Sequence, residues 1–144
     1  MGLDVTARQL IKRPRADVAA FISDARNDTK WIGGIRFVEM DEGPTRVGSR
    51  VKRTAAFMGK QIEYVNEVVE LDERHLAMRS VQSPFPMRVT YGFDADGTDA
   101  TRASVRVEGD PSGFYTIGRP LMGFFVKRSV SGDLKRLKRL LESS

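Results

Sequence analysis

Arg53 falls on the same strand phase as Val51, Ala55 and Phe57, while Asn66 and Ser80 fall with Ile62, Val68, Leu76 and Met78. A polar group on the apolar phase of a strand needs a partner once buried, so either the protein satisfies it or a ligand and water do. Inside a cavity these groups would orient a ligand. Against a filled core, Asn66 would bond a neighbour and Arg53 would snorkel to the rim, which is the expectation for Arg53. Tyr64, Tyr91 and Tyr115 can donate to a ligand oxygen, or serve as core aromatics whose hydroxyls reach the surface. Met78, Met87 and Met122 suit an adaptable apolar wall or simple core filling.

Other chemistries find less support. His75 is the sole histidine, and it lies in the DERH turn between two strands with no serine or cysteine beside it. The expectation is a solvent-exposed side chain and no nucleophile–base pair. One histidine, no cysteine and scattered carboxylates offer neither HExxH nor a calcium loop, so no metal is expected. Asp94-Ala95-Asp96-Gly97-Thr98-Asp99 reads as a hairpin turn. Gly33-Gly34 and Gly113 belong to no phosphate-binding string, and no cofactor is expected. The absence of cysteine also excludes disulfides, iron–sulfur clusters and thiol nucleophiles.

The 144 residues fit one domain, 1–144, with a sizeable core. The net charge of +5 and a pI near 9.8 permit contact with nucleic acid or an anionic surface. The basic residues concentrate in KRSVSGDLKRLKRLLE without the aromatic interleaving of a nucleic-acid module, so they read as a solvated helix face and no nucleic-acid partner is expected. No segment approaches the roughly 18 uninterrupted apolar residues of a membrane span, and MGLDVTARQLIKRP lacks an apolar targeting core. A cytoplasmic protein is the expectation. Met1–Thr6 fits a myristoylation pattern, but the same residues begin a strand.

Periodicity supplies the elements that must position these groups. A strand over about 3–12 precedes Pro14, whose fixed φ suits a first helical turn, and Val18, Phe21 and Ile22 give that helix one apolar face. The polar run SDARNDTK then leads through a short helical connection to Trp31 and Gly33-Gly34. Six strand-like runs come next, at about Ile35–Met40, Val47–Phe57, Gln61–Leu71, Leu76–Gln82, Met87–Asp94 and Thr98–Glu108. Turn signals between them predict an antiparallel meander, apolar on one face. Its cover is a long amphipathic helix opening at Asp110-Pro111, with the stripe Val126, Val130, Leu134, Leu137 and Leu141. Pro120 should kink that helix or mark a restart.

This order resembles the helix-grip fold of START-like proteins: α+β, with an antiparallel sheet of six to seven strands curled around a long C-terminal helix and two short helices after the first strand. The residues from Ile11 through Pro14, Val18, Phe21, Asp24 and Trp31, followed by EGPTRVGSRV, GKQIEYVNEVVELDERHLAMRS, PFPMRVTYGFDADGTDATRASV and LKRLKRLLE, are similar to the polyketide cyclase/dehydrase and lipid-transport family. The resemblance implies a cavity between sheet and helix. Arg53, Tyr64, Asn66 and Tyr91 would be its polar groups, and Phe57, Met78 and Met87 its apolar strand wall. Tyr115, Met122 and Phe125 would come from the last third of the chain. Trp31 would wall the cavity or cap the small-helix end of the core.

The function implied is binding or transport of a lipophilic small molecule such as a polyketide, isoprenoid or lipid. The alternatives are a cyclase or dehydratase acting in the same cavity without metal or cofactor, its catalytic residues unassigned, and a protein-interaction module. Contact with a membrane surface would be transient at most. Oligomeric state is not legible.

Overall fold

The computed structural model describes residues 2–111 and 119–144, Arg119 by its backbone only. The chain starts with β1 (Leu3–Ile11), followed by α1 (Arg15–Ser23), a 3-10 turn (Ala25–Asn27) and the one-turn α2 (Asp28–Trp31). Six strands come next: β2 (Ile35–Met40), β3 (Arg50–Phe57), β4 (Lys60–Leu71), β5 (His75–Gln82), β6 (Met87–Ala95) and β7 (Thr101–Gly109). The long helix α3 (Arg119–Glu142) comes last.

All seven strands form one curled antiparallel sheet in the order β1-β7-β6-β5-β4-β3-β2. The six-strand meander is joined by turns of two to five residues, apart from a nine-residue loop, 41–49, between β2 and β3. Its tightest is Met58-Gly59, both at positive φ, joining paired Phe57 and Lys60 as a two-residue hairpin. β1 returns to the far edge and pairs with β7 from Leu3↔Gly109 to Ile11↔Thr101. Irregular register on either side of Asn66–Val68 bends β4, as bulges do. Two strand starts are later than periodicity suggests. Val47 is exposed in the turn that precedes β3, and the bond from Asp96 N–H to Ala100 O holds a loop before β7.

The chain fills the grip unevenly. Leu134, Leu137 and Leu141 in the C-terminal half of α3 are buried against a core that includes Ile11, Val18, Ile22 and Phe93. Each such side chain contributes about 1.5–3 kcal/mol by leaving water. The N-terminal half of α3 presents Met122, Val126, Ser129 and Val130 to a pocket instead. Pro120 stands in the first described turn of α3, while the expected helix opening at Asp110-Pro111 runs into residues 112–118, outside the described ones. Among the described residues no helix is long and apolar enough to cross a membrane.

Candidate functional site

The polar run before Trp31 is consumed in building one corner. Asp24 accepts from Arg26 N–H at 3.1 Å and caps the 3-10 turn, and Asn27 donates through Nδ2 to Phe21 O at 3.0 Å. Asp28 turns inward. Its Oδ2 accepts from Arg53 Nε at 2.7 Å, and both side chains are at most 3% exposed. Burial pushes the Asp28 carboxyl up, with the Arg53 charge pulling against it. Burial is the largest influence on Arg53 and opposes its charge, but Asp28, Tyr91 and Tyr64 together more than offset it, so the guanidinium stays protonated. Arg53 therefore does not snorkel to the rim, because its partner lies inside.

Trp31 ends α2 and is 1% exposed. Its ring meets Tyr91 edge-on with centroids 6.1 Å apart, and its Nε1 has no hydrogen-bond partner among the described residues. Helix α3 clasps this corner from above. Asp133 Oδ1 accepts from Gly33 N–H at 3.0 Å and from Arg136 Nη1 at 3.1 Å, while Arg136 Nη1 also donates to Trp31 O at 2.6 Å. A cation on the last carbonyls of a helix is favourable. Gly34 fits here because a Cβ would stand 2.9 Å from Ala56 O, a backbone atom that cannot yield.

Between this corner and the start of β1 lies a pocket of about 200 Å³. Leu3, Phe57, Phe85, Met87, Gly109 and Met122 line one end, where β1 starts and β7 finishes. Ile35, Ala55, Ile62, Val89, Val105 and Val126 line its middle, and Trp31, Arg53, Tyr64, Tyr91 and Asp133 its polar end. Burial raises the phenols of Tyr64 and Tyr91 above their ordinary values, with Arg53 opposing in both cases. Both are neutral donors at physiological pH. Burial also raises Asp133, against the pull of the Gly33 N–H and Arg136.

Of the expected cavity residues, Trp31, Arg53, Phe57, Tyr64, Met87, Tyr91 and Met122 share this pocket. Four do not. Asn66 and Met78 are buried elsewhere on the sheet, Met78 in the filled core with Val18, Trp31 and Leu134. Asn66 bonds no neighbour among the described residues: both of its amide atoms are buried without partners there. Phe125 is 38% exposed because it sits about 60° around the helix from Met122, on the side away from Val126 and Val130. Tyr115 lies outside the described residues.

Asp28 and Asp133 were not expected. Nothing local marks Asp28, but Asp133 is three residues from Val130 and four from Leu137, which puts it on the apolar stripe. His75 opens β5 and is about one-third exposed rather than free in solvent. Its Nε2 lies 2.7 Å from Glu70 and its Nδ1 3.0 Å from Asp72, and these bonds raise its pKa. It does not line the pocket. Among the described residues no three histidine or carboxylate side chains cluster to hold a metal.

A family model described as polyketide cyclase/dehydrase and lipid transport matches residues 3–142. Comparison with curated proteins gives no match. Among solved structures the chain is similar to TTHA0849 from Thermus thermophilus, at 21% identity and a TM-score of 0.80, covering 98% of this chain and 99% of that one. It is also similar to the Zhui aromatase/cyclase from Streptomyces sp. R1128, at 15% identity, TM-score 0.80 and 99% and 94% coverage. A START superfamily protein from Mycobacterium smegmatis aligns at 14% identity, TM-score 0.73 and 97% and 94% coverage. At these identities the structures speak for the helix-grip fold alone, whereas the family match spans nearly the whole sequence. The chain therefore belongs to the polyketide cyclase/dehydrase and lipid transport family.

Proposed function

We propose that the protein binds a neutral, oxygen-bearing lipophile of one or two rings, or a branched chain of similar bulk. The observation that carries this reading is a mostly apolar pocket ending on a charge-compensated Arg53–Asp28 pair flanked by two protonated phenols. An apolar cavity of about 150 Å³ accommodates benzene, so one of about 200 Å³ suits a small ring system better than a long polyketide or a diacyl lipid. Tyr64 and Tyr91 supply donors for a carbonyl, ether or hydroxyl oxygen. A carboxylate there would stand beside Asp28 and Asp133 and compete for an arginine already paired, at a cost in desolvation.

A cyclase or dehydratase reading gains one specific support. Asp133 is a pocket-lining carboxylate, its side chain 10% exposed, with a raised pKa and close enough to influence Tyr91. It is the candidate general base for a proton next to a carbonyl held by Tyr91. Binding is the first reading because Asp133 Oδ1 is already spent on Gly33 and Arg136.

Trp31 is the sole tryptophan and lines the pocket, so its fluorescence reports occupancy directly. Titration with paired ring compounds that differ only in carrying a ketone or a carboxylate is expected to shift the emission saturably, with the ketones bound at least about tenfold tighter. Equal or tighter binding of the carboxylates would overturn the neutral-ligand assignment. Loss of a reaction but not of binding in Asp133→Asn would favour the enzyme.

A further inference from the structure

On α3, Leu121, Phe124 and Phe125 are 55%, 57% and 38% exposed, and the two phenyl rings stack edge-on with centroids 5.5 Å apart. Large apolar groups held open in contact normally mark an interaction site. Helical spacing aligns this patch with a row of basic side chains. Arg128 lies seven residues after Leu121, Lys135 seven further on and Arg139 four beyond that, and all three are exposed. Arg136 and Lys138 form ion pairs along α3, while Arg128, Lys135 and Arg139 form none among the described residues. Of the carboxylates on α3, Asp133 is buried against the pocket and Glu142, at the far end, is taken by Lys12 and Lys138. The outer face of the helix is thus apolar at one end, and the charges it carries from there to Glu142 are all basic.

We propose that this outer face docks on an anionic phospholipid surface, with Leu121, Phe124 and Phe125 entering the acyl boundary and Arg128, Lys135 and Arg139 lying on the headgroups. The division suits an interfacial helix, which combines buried apolar area with basic side chains. It differs from docking through the leucine stripe, since Leu134, Leu137 and Leu141 stay buried in the core. Met122 and Val126 line the pocket from the inward side of the same turns that carry the phenylalanines outward. Docking would therefore bring the pocket end at Leu3 and Gly109 close to the bilayer, where a lipophile partitions. The docking holds whatever the pocket binds.

The test is co-sedimentation of the full chain with phosphatidylcholine vesicles, with and without phosphatidylserine. Binding is expected with phosphatidylserine, weakening as salt rises. Phe124→Ser with Phe125→Ser should reduce it by about tenfold or more, since two exposed aromatic side chains lose their insertion. Replacing Arg128, Lys135 and Arg139 with glutamine should remove the preference for phosphatidylserine, a loss on the order of tenfold to a hundredfold. Both variants should keep the parent's melting temperature and its Trp31 response to ligand in vesicle-free buffer. Failure of the parent to bind phosphatidylserine vesicles would overturn the proposal. So would unchanged binding by the folded Phe124→Ser, Phe125→Ser variant, or a parent that dimerises through these phenylalanines and ignores vesicles.

Discussion

Replacing Arg53 with alanine is expected to lower the free energy of unfolding by about 3–5 kcal/mol, because it strands the Asp28 carboxylate in a site where it is 1% exposed. The size follows from the asymmetry of buried ion pairs. Forming the pair gains little over an apolar filling, while removing one partner leaves the other's desolvation unopposed. The double variant Arg53→Met with Asp28→Leu should therefore recover most of the loss. A pH signature accompanies the single variant. Asp28, already raised by burial, rises further once Arg53 is gone. A carboxyl held above its unfolded value favours the fold when protonated and penalises it when ionised. The deficit relative to the parent should then be full above that raised value and shrink as pH falls through it. Urea unfolding of all three proteins across pH checks this. A loss below about 1 kcal/mol at neutral pH, or a double variant no better than the single, would mean the pair is not buried as described.

Leu137→Asp is expected to have the larger effect still, leaving the chain unfolded or nearly so in buffer containing no membrane. Leu137 is fully buried on the inward face of α3. The substitution removes its transfer free energy, opens a cavity and buries an unpaired charge, whereas Leu137→Ala, without the charge, should cost about 3–5 kcal/mol. Circular dichroism melts of both variants are the measurement. A Leu137→Asp protein as stable as the parent would mean that the leucine stripe faces outward and that the helix does not grip the sheet.

How far the sequence reached is best seen at Arg53. Strand periodicity placed it on the concave face, because a period of two allows no other position for a residue between Val51 and Ala55. Its partner was out of reach: the two are 25 residues apart, and only the orientation of the one-turn α2 brings Asp28 inward. The meander and the long helix were legible because hairpin signals and a four–three leucine stripe are local patterns. Where α3 leaves the sheet is a global property. Asn66 and Met78 fell outside the pocket and Met87 within it, although all three share the same strand phase. Phe125 failed for a simpler reason, since an apolar residue next to an amphipathic stripe need not belong to it. Asp133 was within reach by the same helical spacing that placed Val130 and Leu137.

If the pocket holds a small lipophile, native mass spectrometry of gently purified protein will detect it, with Ala55→Phe as the comparison. Ala55 lines the middle of the pocket, so a phenyl ring there fills the space a ligand would take while leaving the Arg53–Asp28 corner in place. The expected result is one small organic mass carried by the parent, or taken up stoichiometrically from a panel of neutral ring compounds, and absent from a folded Ala55→Phe protein. A parent that takes up no compound from such a panel, or a folded Ala55→Phe protein that carries ligand as well as the parent does, would contradict the account.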